Sequence, residues 1–238
     1  MATHASSTDG AAPSVLWKAF DVLAAFNQGH RILTLSDIAR RSGLPKSTVH
    51  RLLGMLLDVG AVERVGTGYK IGLRMFTMGA LSLDVRLRET ALPYLERLRR
   101  VTGQTVHLAM LHGADVIYLE KLTSPQSPNT PALIGGRLPA GRTGVGKAML
   151  AFGDRLSTEL ATEHLQEVRR RGVATDREEA APGLACVAVP VLNNGRAVAA
   201  VSVAFAAANG SGDLFVNPLR ETVTGLSRVM ATSPDLAA

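Results

Sequence analysis

The sequence predicts an α+β chain in two parts: a helical head closed by a β-hairpin, then a joining helix and an antiparallel-sheet domain with interleaved helices. Three observations lead there. Apolar residues recur at helical spacing through most of the first sixty positions. Two short β-like runs around a glycine loop follow. From Thr105 onward the period falls to two in paired runs, with helical stretches between them. At 238 residues there is room for two cores of ordinary size. The expected division is a disordered tail over 1–13, a head over 14–74, a linker helix over 75–87 and the sheet domain over 88–238.

In the head, residues 14–27 place Val15, Leu16, Phe20, Leu23 and Phe26 on one helical stripe, and Gly29 ends the run. Thr34 then caps a short second helix over 35–41, with Asp37 completing a Thr-x-x-Asp box. Ser42-Gly43 stops it. Pro45 suits the first turn of a third helix over 46–59, which Gly60 ends.

The spacing of Ala39, Gly43 and Val49 is the most informative feature of this region. A small residue permits two helices to cross closely, glycine permits a left-handed turn between them, and a β-branched residue locks the second helix on the first. The pattern is that of a helix-turn-helix, with Leu35, Ile38, Leu52, Leu53 and Leu56 filling the shared core. Lys46, Ser47, Thr48, His50 and Arg51 are left on the outer face, where they can reach phosphates and base edges in a major groove. The runs 61–65 and 69–73 around Gly66-Thr67-Gly68 read as a hairpin wing, offering Arg64, Lys70 and Thr67 to the DNA backbone or minor groove. A plain helical bundle with an incidental hairpin is the competing reading.

Charge alone fits a solvated basic face equally well, so the triple spacing, the wing and the charge together favour the DNA-binding reading. Residues 1–104 hold 14 Lys and Arg against 8 Asp and Glu, whereas 105–238 hold 12 of each, so the whole surplus of +6 sits in the N-terminal part. That is the electrostatic footprint of a duplex-DNA-binding module.

Beyond the head, 75–86 is helical in pattern with Phe76, Gly79 and Leu83 on its apolar side. A further helix over 88–101 buries Leu92, Leu95 and Leu98, with Pro93 in its first turn and Gly103 as its stop. Residues 105–111 and 116–122 form a hairpin around His112-Gly113-Ala114-Asp115. A polar, proline-rich loop follows over 124–131, then a short strand over 132–138 and a helix over 145–152. Ser157 caps a helix running to Arg171. A second hairpin spans 184–192 and 197–205, and 214–230 is a C-terminal helix.

Composition narrows the function classes. With 46% hydrophobic and 19% charged residues the chain reads as soluble and globular. No run approaches the roughly 18 apolar residues of a membrane span, and the first residues lack the layout of a signal peptide. The single cysteine, Cys186, fits a reducing compartment, so a cytoplasmic location without membrane contact is expected. The six histidines are scattered, with no ligand spacing, so neither metal nor cofactor is expected.

Several motifs together resemble the IclR family of bacterial regulators. They are Pro45-Lys46-Ser47-Thr48-Val49-His50-Arg51-Leu52-Leu53, the Tyr69-Lys70-Ile71-Gly72-Leu73 wing, Thr102-Gly103-Gln104-Thr105-Val106-His107-Leu108, Gly144-Val145-Gly146-Lys147-Ala148, Arg171-Gly172-Val173-Ala174-Thr175-Asp176-Arg177-Glu178-Glu179 and Gly183-Leu184-Ala185-Cys186-Val187-Ala188-Val189-Pro190-Val191. The resemblance implies a winged helix-turn-helix, a GAF-like effector domain, and a homodimer or homotetramer on a pseudo-palindromic operator. It also implies control by a small metabolite, often a carboxylate or an aromatic compound. Carried over by position, the effector contacts are Gly144, Val145, Asp176, Leu184 and Cys186. Three departures stand out. Gly141-Arg142 replaces the family's His-Ala-like pair, so Arg142 either pairs with an effector carboxylate at the pocket mouth or lies on the surface. The segment between Phe152 and Asp176 is shorter by roughly a helix. The last thirty residues match loosely.

Rival readings belong to other classes. Residues 141–148 nearly spell a phosphate-binding loop, but Ala148 replaces the metal-ligating hydroxyl, and Gly135-Gly136-Arg137-Leu138-Pro139 is a poor buried parallel strand. Cys186 could be a nucleophile, yet alone on an apolar run it reads as a small buried hydrophobe. Asp176, Glu178 and Glu179 read, residue by residue, as a solvated loop. His107 and Glu120 read as structural. A constitutive DNA-binding protein whose second domain only oligomerises would lack a cavity, whereas a sensor needs one of a few hundred cubic ångströms.

Overall fold

The computed structural model describes residues 14–27, 29–153 and 162–232. The expected tail over 1–13 and the Ser157 cap lie outside them. The chain divides into two compact units between Leu81 and Ser82.

The first unit holds α1 (Val15–Ala24), α2 (Leu35–Ser42), α3 (Lys46–Asp58), the hairpin β1 (Val62–Val65) and β2 (Gly68–Ile71), and α4 (Leu73–Gly79). Each start has a local cause. Ser14 Oγ accepts the Trp17 N–H, and Thr34 and Asp37 form a complete capping box on α2. Gly43 takes the left-handed conformation at φ 71°, which closes α2 and turns the chain into α3. Ile38, Ala39, Val49, Leu52, Leu53 and Leu56 make the buried seam, joined by Val22 of α1 and by Val62 and Tyr69 of the hairpin. A bridge between Leu33 and Tyr69 adds a third strand position to the wing, closely packed because a Cβ on Gly68 would lie 2.8 Å from the Ile32 side chain.

Two expectations change here. The predicted α1 stripe is not one buried face. Val22, Leu23 and Phe26 turn toward the core, while Leu16 and Phe20 are 64% and 57% exposed. The predicted linker helix over 75–87 is two helices, because α4 ends at Gly79 and α5 (Leu83–Thr102) starts afresh with Ser82 accepting the Asp84 N–H. The helix expected over 88–101 is thus the body of α5, and Pro93 sits in its interior rather than its first turn.

The second unit contains β3 (Thr105–His112), β4 (Asp115–Leu122), β5 (Arg137–Pro139), α6 (Gly144–Leu150), α7 (Thr162–Arg171), β6 (Ala174–Arg177), β7 (Leu184–Asn193), β8 (Arg196–Ala206) and α8 (Val216–Ala231). All pairings are antiparallel, in the order β5-β4-β3-β8-β7-β6. Of the strand expected over 132–138 only the β5 end pairs. β6 was unforeseen as a strand. The tight turn between β7 and β8 uses Asn194 at φ 49° and Gly195 at φ 79°, the pairing a type I′ hairpin requires.

Alternation along the strands assigns the two faces. Val187, Val189 and Val191 of β7 and Val201, Val203 and Phe205 of β8 point to one side, where Leu95 and Leu98 of α5 and Leu219 and Leu226 of α8 cover them. The opposite face carries Cys186, Ala188, Ala200, Ser202 and Ala204. α6 packs against these small side chains. A Cβ on Gly144 would sit 3.4 Å from Ala188 Cβ, and one on Gly146 only 2.1 Å from the Ala140 carbonyl oxygen. Helices thus cover both faces of an antiparallel sheet, in an α+β chain.

Candidate nucleic-acid interface and effector cavity

Burial of Val49, Leu52 and Leu53 fixes the rotation of α3 and turns its other side outward. Lys46, Ser47, His50 and Arg51 are exposed and Thr48 is half-buried. Neither Lys46 nor Arg51 makes an ion pair among the described residues; Arg51 only leans on the Met55 sulfur at 3.8 Å. The wing differs. Lys70 pairs with Glu63 across the strands at 3.0 Å, the register placing the two opposite each other. Arg64 donates to the Tyr69 hydroxyl at 3.2 Å and lies over its ring. Arg40 is likewise tied to Asp37. Lys46 and Arg51 thus leave the outer face of α3 with uncompensated positive charge, and such a face beside a hairpin is suited to a groove lined by phosphates.

In the second unit, the small-residue face of the sheet, the start of α6 and the loop after β6 enclose a cavity. The space between the side chains is about 290 Å³ out to its rim, and its interior leaves room for little more than one water. Gly144, Val145, Asp176, Leu184 and Cys186 all line it. Arg142 does not. Its side chain is exposed and donates to the Glu179 carbonyl at 3.0 Å, tying down the outer side of the loop.

Asp176 is buried to 1% exposure, which corrects the solvated-loop reading, because β6 pairs with β7 and opposes Asp176 to Cys186. Its Oδ1 accepts the Glu179 N–H at 2.9 Å and the Ala180 N–H at 3.4 Å, while Oδ2 has no partner. Burial, with the nearby Glu179 charge, pushes its carboxyl above the usual range against those two hydrogen bonds. Lys147, also buried, bonds Glu179 and the Thr175 carbonyl. That leaves the lysine of the near-phosphate-loop motif committed to the sheet. The motif also follows the edge strand β5 rather than a central one.

Sequence reasoning missed the polar lining residues His107, Tyr118, Thr130, Thr143 and Ser202. His107 is fully enclosed, meets Thr130 Oγ1 at 3.1 Å and Ser202 Oγ at 3.4 Å, and is held neutral by burial, which lowers its pKa to about 3. Tyr118 sets its ring edge-on to His107 at 5.4 Å, and burial pushes its phenol up. Glu120, by contrast, pairs with Arg88 at 2.7 Å and serves packing. Burial also raises the Cys186 thiol, the opposite of what a nucleophile needs. The available signal was the alternation of bulky and small residues in β7 and β8, which marks the face where a cavity fits.

A family model of the IclR helix-turn-helix domain matches residues 15–66, and one described as the bacterial transcriptional regulator IclR C-terminal domain matches 80–163 and 156–228. The Escherichia coli regulator XynR is 31% identical over 210 residues, covering 78% of this chain and 83% of that protein. The Paracoccus denitrificans regulator BhcR is 34% identical over 195 residues, covering 72% and 70%. Among solved structures, an IclR homologue from Microbacterium hydrocarbonoxydans complexed with 4-hydroxybenzoate superposes with a TM-score of 0.84 at 28% identity, covering 92% of this chain and all of that one. With matched domains over most of its length, the chain belongs to the IclR family of DNA-binding transcriptional regulators, which carry a C-terminal ligand-binding domain.

Proposed function

We propose that α3 reads a pseudo-palindromic operator through Lys46, Ser47, Thr48, His50 and Arg51, with Arg64 and Lys70 of the wing as weaker backbone contacts. A small organic metabolite in the second unit's cavity then shifts that binding. The observation that carries the reading is the buried cavity lined by Asp176, His107 and Tyr118 beside apolar walls, since a purely oligomerising domain has no use for an unpaired carboxylate oxygen in its core. Gly144, Val145, Leu184 and Cys186 supply the apolar and backbone surface. Arg142 acts from outside by holding the loop. A ligand larger than a water displaces the walls, and the displacement is the differential contact that a ligand-driven switch requires.

The effector is a carboxylate or an aromatic compound in this reading. The ligand of the Microbacterium homologue, 4-hydroxybenzoate, is both. The protein acts in the cytoplasm as a homodimer or homotetramer and catalyses no reaction. Among the described residues no helix is long and apolar enough to cross a membrane, and no His, Cys, Asp and Glu cluster could hold a metal.

Selection of duplexes from a random pool by the full chain, followed by binding with and without a panel of small acids and aromatic compounds, tests the reading. A two-fold-symmetric site whose affinity moves with one compound class supports it. Recovery of a site that no compound affects, with no thermal stabilisation by any of them, favours the constitutive alternative.

A further inference from the structure

Resting on the effector reading above, we propose that the effector of this chain carries a hydroxyl group that donates to Oδ2 of Asp176, on an apolar body held by the cavity's apolar walls. The other polar side chains around the cavity are paired, apart from the Tyr118 hydroxyl, which lies within electrostatic reach of Asp176. Both ring nitrogens of His107 are engaged, by Thr130 and Ser202. The Thr143 hydroxyl donates to the Ala140 carbonyl and accepts the Gly146 N–H at 3.1 Å. Oδ1 of Asp176 holds two backbone N–H groups. Oδ2 is the buried acceptor left over, in a residue 1% exposed that lines the cavity. An acceptor kept from water and from protein donors is costly, and a bound donor relieves that cost.

The sign of the missing partner follows from the charges nearby. No lysine or arginine lines the cavity. Lys147 is committed to Glu179 and Thr175, and Arg142 lies outside on the Glu179 carbonyl. A ligand group facing Asp176 therefore meets a carboxylate with no cation to share, and a second carboxylate there is disfavoured. An ammonium would satisfy Oδ2 but must be stripped of water among Val145, Leu138, Leu184 and Pro131. A neutral hydroxyl meets the same oxygen without that penalty. A site built to accept from an O–H rejects the analogue that lacks it far more strongly than an apolar pocket rejects a lost methylene.

Matched pairs test this on the full chain: p-cresol with 4-methylanisole, and 4-hydroxybenzoate with 4-methoxybenzoate, each titrated by calorimetry and thermal shift. The hydroxyl member should bind at least tenfold more tightly in every pair that binds. Asp176→Asn keeps an oxygen for the Glu179 N–H and places an amide donor at the second position, so it should erase the preference and admit the methyl ethers. Its melting temperature separately reports whether the variant folds. Equal binding within the pairs, or an undiminished preference in a folded Asp176→Asn protein, overturns the hydroxyl proposal and leaves the sensor reading standing. If no member of the panel binds or stabilises a chain that still binds duplex DNA, the effector reading of the cavity falls with it.

Discussion

His107 links burial to a pH dependence whose direction can be worked out. In the unfolded chain its imidazole protonates near 6.5, whereas enclosure lowers the folded value to about 3. As pH falls from 6.5, the unfolded chain gains a proton that the folded one refuses, so stability declines down to about pH 3 and levels off below it. One proton gives a slope of about 1.4 kcal/mol per pH unit. Asp176 acts in the opposite sense: its raised carboxyl pKa adds stability as pH falls through it. Urea unfolding of the wild type and of His107→Gln between pH 7 and 5 isolates the histidine, and equal slopes in the two would refute its enclosure. On α3, Lys46→Glu and Arg51→Glu should each weaken duplex binding a hundredfold or more with unchanged melting temperature. Lys70→Ala should cost less than tenfold, because Glu63 already offsets that charge. Fluorescence anisotropy across a salt series reads both, and a loss in Lys70→Ala as large as in Arg51→Glu would refute the weighting given to α3. These α3 positions were legible because spacing alone sets a helix face. The pairing of Lys70 was not, since it depends on strand register.

Among the elements, those with a local cause were read correctly and those set by distant contacts were not. The α2 capping box, the Gly43 turn and the Asn194-Gly195 hairpin each lie within a few residues of one another, so the chain states them directly. The break between α4 and α5 hinges on Ser82 outcompeting continued helix as an N-cap, and an unbroken apolar period concealed it. β6 is only four residues long and owes its place to β7, so nothing inside Ala174–Arg177 announces it. The cavity inherited that gap: five of its lining residues came from motif resemblance, whereas His107 and Tyr118 required the β3–β4 register. α6 gives the clearest element-scale test. Its second glycine, Gly146, lies so close to the preceding turn that a methyl group would stand 2.1 Å from a backbone oxygen. Backbone cannot rotate away as a side chain can. Gly146→Ala should therefore force α6 and the preceding turn apart at a cost of about 2–3 kcal/mol and weaken binding of any cavity ligand in the same variant. Denaturation midpoints within experimental error of wild type would mean the helix seats less tightly than its contacts imply.

At the scale of the whole molecule, the first unit exposes more apolar surface than a solitary head needs. Leu16, Trp17 and Phe20 on α1, and Leu73, Phe76 and Met78 on α4, are 57–72% exposed, and Leu81 just beyond is 84% exposed. Isolated surface leucines are ordinary, but clustered aromatics at helical spacing mark a surface that another protein covers. A second copy of the chain is the occupant that duplex symmetry favours, since two-fold contacts bring identical patches together and present two α3 helices to two half-sites. A Phe20→Ser, Phe76→Ser double variant should sediment as a smaller species than wild type. It should retain half-site binding at low salt and lose two or more decades of affinity for the full palindrome, because the second head no longer arrives at high effective concentration. The single variants separate the two faces: whichever alone lowers the mass in sedimentation is the one that seals the pair. If the double variant keeps the wild-type mass and full-site affinity, the assembly is held by the second unit alone, and the exposed aromatic residues of α1 and α4 serve some other contact.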